Sequence, residues 1–104
     1  MASNLPWFTV RFALLGVSEE RSSEAVRDLL AELNMRPHLK NAQVFWQAES
    51  RQVIVQVDVE GLNANSVSEG MAEELKEMIS AIFMKVGGVH VEMLGTHIRS
   101  VDKG

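Results

Sequence analysis

The spacing of hydrophobic residues along this 104-residue chain switches repeatedly between two and 3.6. A period of two belongs to a strand with one buried face. The i, i+3, i+4, i+7 spacing belongs to a helix with one buried stripe. A chain written in both periods is neither a helical bundle nor a β-barrel. The order of the periods sets the order of its layers.

Residues 7–15 alternate, with Phe8, Val10, Phe12 and Leu14 on one side and Trp7, Thr9, Arg11, Ala13 and Leu15 on the other; Gly16 ends the run. Residues 19–35 read as a helix. Ser18, Ser22 and Ser23 offer N-caps, Glu19, Glu20 and Glu24 suit the positive end of the helix dipole, and Val26, Leu29, Leu30 and Leu33 form its stripe. Asn34 and Pro37 mark its end. Residues 41–48 and 52–59 read as a hairpin, with Ala42, Val44, Trp46 and Ala48 facing the same way as Val53, Val55, Val57 and Val59. A short connection pairs Ala48 with Arg51 and a longer one pairs it with Val53; both keep these rows on one face. Residues 66–86 read as the second helix, opened by a Ser66/Glu69 capping box and striped by Met71, Leu75, Met78, Ile79, Ile82 and Val86. Residues 89–94 read as the last strand, with Val89, Val91 and Met93 on one face.

Strand, helix, strand, strand, helix, strand resembles the ferredoxin-like fold. The resemblance implies an α+β two-layer sandwich, an antiparallel sheet in the order 4-1-3-2 and two helices on one face. The length suits a single domain over residues 1–104. The tail, residues 95–104, is expected to extend the last strand after a bulge at Gly95, to dock on a partner, or to fray.

Composition narrows the function. The absence of cysteine excludes disulfide scaffolds, thiolate metal sites and cysteine nucleophiles. A net charge of −4 with scattered Lys and Arg argues against nucleic-acid and anionic-membrane partners. No run approaches the ~20 apolar residues of a membrane span. The start of the chain has no basic, apolar signal pattern. The expected address is cytoplasmic, and no cofactor motif is present.

Two helices cover one sheet face and leave the other open. Parity assigns to it Trp7, Leu15, Phe45, Ile54 and Leu94, too many large apolar groups for a solvated sheet. These are the expected interface residues, and a second copy of the chain is the expected partner; the alternative is that tails or loops of the chain fold over the patch. The same face carries Arg11, Gln56, Asp58, His90 and Glu92, the candidates for binding a small polar ligand. Without a ligand, they are expected to hydrogen-bond between protomers. A metal site from His90, Glu92 and Asp58 is not expected; Arg11, on the strand between, is expected to pair with the carboxylates instead. The outer strands of that trio lie about 9.6 Å apart, against metal bonds near ~2.1 Å.

The leading expectation is a non-catalytic, self-associating module with no assigned catalytic residue. One alternative is a small enzyme with Arg11, His90 and Glu92 in an interfacial cavity. Another is a module resembling ACT-like regulatory domains, although the Asp-x-Pro-Gly-type start after the first strand is missing. Enzymes resembling acylphosphatase share the topology, but here Gly16-Val17-Ser18 runs into Glu19 and Glu20, and the third strand has no Asn. RNA-recognition domains share it too, but that strand has no exposed aromatic. His38 and His97 are expected in solvent, Met71, Met78 and Met93 in the core, and the segment from Asn63 to Ser66 as a helix cap.

Overall fold

The computed structural model describes residues 5–82 and 89–98. Its elements are β1 (Trp7–Leu15), α1 (Glu19–Asn34), β2 (Leu39–Gln47), β3 (Gln52–Glu60), α2 (Ala64–Ile82) and β4 (His90–Ile98). All sheet neighbours are antiparallel, in the order β2-β3-β1-β4, which is the expected 4-1-3-2 read from the other edge. The molecule is therefore an α+β layer structure of one four-stranded sheet and two helices.

One hydrophobic cluster joins the sheet to both helices. Phe8, Val10, Phe12 and Leu14 of β1 and Val53, Val55 and Val57 of β3 meet Ala25, Leu29 and Leu33 of α1 and Met71, Leu75, Met78 and Ile79 of α2. Each fully buried Phe or Leu contributes about 1.5–3 kcal/mol. The α1 stripe is rotated from expectation: Ala25, Leu29 and Leu33 are buried, whereas Val26 and Leu30 are only partly so. Ser22 shares the buried face because its hydroxyl donates to the Glu19 carbonyl at 2.7 Å. Met71 and Met78 are core residues as expected, but Met93 is 51% exposed.

Three local details depart from the sequence expectation. The cap of α2 is Asn63, whose Oδ1 accepts the Ser66 backbone N–H at 2.9 Å, so the helix starts before the expected capping box. The hairpin closes at Gln47–Gln52, with Arg51 N–H donating to the Ala48 carbonyl at 3.3 Å and Arg51 at φ 56°. That register is the one given by the shorter connection. Gly61 lies where α2 crosses the end of β3; a Cβ there would overlap a Val67 methyl, and its N–H donates to the Pro6 carbonyl at 3.1 Å.

Both edge strands carry a one-residue irregularity. In β2 the register shifts between Lys40 and Gln43, so Asn41 and Ala42 together oppose Val57. Asn41 sits at φ 54°, the left-handed region that Asn tolerates better than most residues. In β4 the shift falls opposite Arg11 and Phe12, so Leu94 has no partner of its own. Bulged edges resist pairing with stray strands. The Gly95 bulge was one of the expectations for the tail. β4 continues beyond it to Ile98, and residues 99–104 lie outside the described residues.

Candidate functional site

The face of the sheet turned away from the helices is organised in rows by strand register. At the hairpin end, Phe45, Ile54, Ala13 and Glu92 run from β2 to β4. The next row is Gln43, Gln56, Arg11 and Gly95, and the next is Lys40, Asp58, Thr9 and His97. The first of these rows is apolar at its centre, and the next two are polar.

The polar part is built around Asp58. It is 3% exposed, although it points away from the main core. Thr9 Oγ1 donates to its Oδ1 at 2.7 Å, and Asn41 Nδ2 donates to its Oδ2 at 2.7 Å. A buried carboxylate needs such donors. The left-handed backbone of Asn41 aims its amide across the bulge at Asp58, so the edge irregularity and the acid support each other.

The expected ligand residues divide. Arg11 and Gln56 are neighbours in one row, and Asp58 lies one row on. Glu92 is opposite Ala13, diagonal to Arg11. His90 is opposite Leu15, two rows from Arg11. Among the described residues no group of three or more His, Asp or Glu side chains could hold one metal ion.

The expected interface residues also divide. Phe45 is 38% and Leu94 49% exposed, and Trp7 and Leu15 are half-buried. Ile54 is only 1% exposed, so the chain itself already encloses it. By register it lies between Phe45 and Ala13 at the middle of the face.

Two histidines expected in solvent have definite places. His97 is opposite Thr9 on this face, its Nε2 3.6 Å from where a Cβ on Gly95 would stand. Carrying the Gly95 bulge through the parity of the tail assigns it there. His38 lies elsewhere, on the helix side, with Nε2 2.9 Å from a Glu74 carboxylate oxygen. Arg36 approaches the same carboxylate at 3.5 Å. These contacts tie the start of β2 to α2.

A shallow cavity of about 230 Å³ lies beside Glu74, lined by Val59, Gly61, Ser66, Val67, Gly70 and Met71 among others. Another of about 380 Å³ lies between α2 and β4, with Lys76, Ile79, Val89 and Val91 in its wall. His90 also lines the second, and the other open-face candidates line neither. No helix among the described residues is long and apolar enough to cross a membrane. No protein-family model, curated protein or solved structure matches the chain.

Proposed function

We propose that the chain is a non-catalytic module of ferredoxin-like architecture that self-associates through its open sheet face, with the cytoplasm as its setting. One observation carries this reading: Phe45 and Leu94 stay 38% and 49% exposed on a face that also presents Trp7 and Leu15. Clustered apolar groups on a sheet face favour a contact surface over bulk water. The polar part of the face, Arg11, Gln56 and His97 around the Asp58 network, would then supply interfacial hydrogen bonds or hold a small polar ligand between two copies.

The test is sedimentation velocity over a wide concentration range. The wild-type chain is expected to form a dimer or higher oligomer, and Phe45→Asp to remain a folded monomer. A wild-type chain that stays monomeric at high concentration would remove the proposal.

A further inference from the structure

We propose that the second copy seats on the open face through reciprocal Arg11–Glu92 ion pairs, related by a two-fold axis that passes beside Leu94. The proposal rests on the self-association reading and adds the residues that set its register.

Arg11 is on the central strand β1 and Glu92 on the edge strand β4, both exposed on the same face. Arg21, Arg27 and Arg36 in the helical layer each lie beside a carboxylate. Among the described residues Arg11 has no such pair, and neither does Glu92. Register explains why they miss each other. Arg11 is opposite Gly95 and Glu92 is opposite Ala13, so they sit diagonally on adjacent strands. The two charges are offset by one row and one strand.

In a two-fold interface, residue i meets residue j of the partner and j meets i. Two opposite charges, offset on one surface and unpaired there, are therefore complementary to a second copy of that surface. The axis that exchanges their positions runs between them. Leu94, 49% exposed, lies at the β4 bulge between the rows of Glu92 and Gly95, so the axis passes beside it. The result is an apolar centre with an ion pair on each side, the usual arrangement of core and rim. An unrelated partner would have no reason to match this offset.

Charge reversal tests the pairing. Arg11→Glu and Glu92→Arg are each compared with wild type by sedimentation equilibrium, with circular dichroism to verify folding. Each variant alone is expected to associate at least about tenfold more weakly, because it sets like charges against each other. An equimolar mixture is expected to recover association as a heterodimer. One chain then presents two acidic groups and the other two basic groups, so both pairs become attractive. Should a reversal unfold the chain, Arg11→Gln replaces it. Wild-type association is expected to weaken with added salt, and that of the variant to respond less.

If wild type associates and both reversals associate equally tightly, the pairing is overturned and self-association stands. A mixture no tighter than its separate components also overturns the pairing. A monomeric wild type overturns both.

Discussion

The side-chain amide of Asn41 donates to the Asp58 carboxylate at 2.7 Å, across a bulge that puts Asn41 in the left-handed region at φ 54°. The bond couples an edge-strand distortion to a buried acid. Asn41→Gly keeps the backbone at ease and loses only the bond. Asn41→Ala loses the bond and adds roughly 1–2 kcal/mol of left-handed strain. Urea unfolding should therefore rank wild type above Gly and Gly above Ala. Asp58→Ala removes the acceptor of both Thr9 and Asn41 and should cost about 1–3 kcal/mol. Equal stability of the Gly and Ala variants would contradict the role given to the backbone.

Two glycines of the same region should respond to alanine with opposite signs. At Gly61 a Cβ would overlap a methyl of Val67, itself 5% exposed in the core. Gly61→Ala should destabilise by about 1–3 kcal/mol. At Gly70 in α2 a Cβ meets nothing within 4 Å. Gly70→Ala should stabilise by up to ~1 kcal/mol, because glycine in a helix interior loses more chain entropy. Thermal and urea unfolding of the two variants checks both signs.

Phe45 and Ile54 are cross-strand neighbours with different fates. Ile54 is 1% exposed and Phe45 38%. Ile54→Asp places a charge where the chain already excludes water and should cost about 4 kcal/mol or more. Phe45→Asp should leave the fold intact and change only the association state. Circular dichroism with light scattering separates the outcomes. A folded Ile54→Asp chain would contradict the enclosure of that site.

Glu74 accepts both Arg36 and His38, and its side chain is 21% exposed. Pairs of this kind contribute modestly and are screened by salt. Glu74→Gln should cost up to ~1 kcal/mol at low ionic strength and less in 1 M salt, followed by urea unfolding. A loss that does not shrink with salt would point to packing instead.

The element order, the stripe of α2 and the two faces of β1 and β3 were legible in the sequence. They depend on side-chain periods of two and 3.6, which are set within a few residues. Helix caps were less legible, since Asn63 and Ser66 both suit the role and only the path of the chain from Gly61 selects Asn63. The burial of Ile54 was not legible, because parity assigns a side and does not say what covers it.

By itself the sequence determined an alternating α+β chain whose sheet turns one face, with apolar side chains on it, away from the helices. Only the tertiary structure decided how that face is laid out. Strand register is a property of two strands, and a single extra residue reverses the parity of everything beyond it. The bulge at Asn41 brings that side chain to Asp58. The bulge at Leu94 turns His97 onto the face. Each arises because an edge strand must fit the strand beside it, and no window along one strand contains that information.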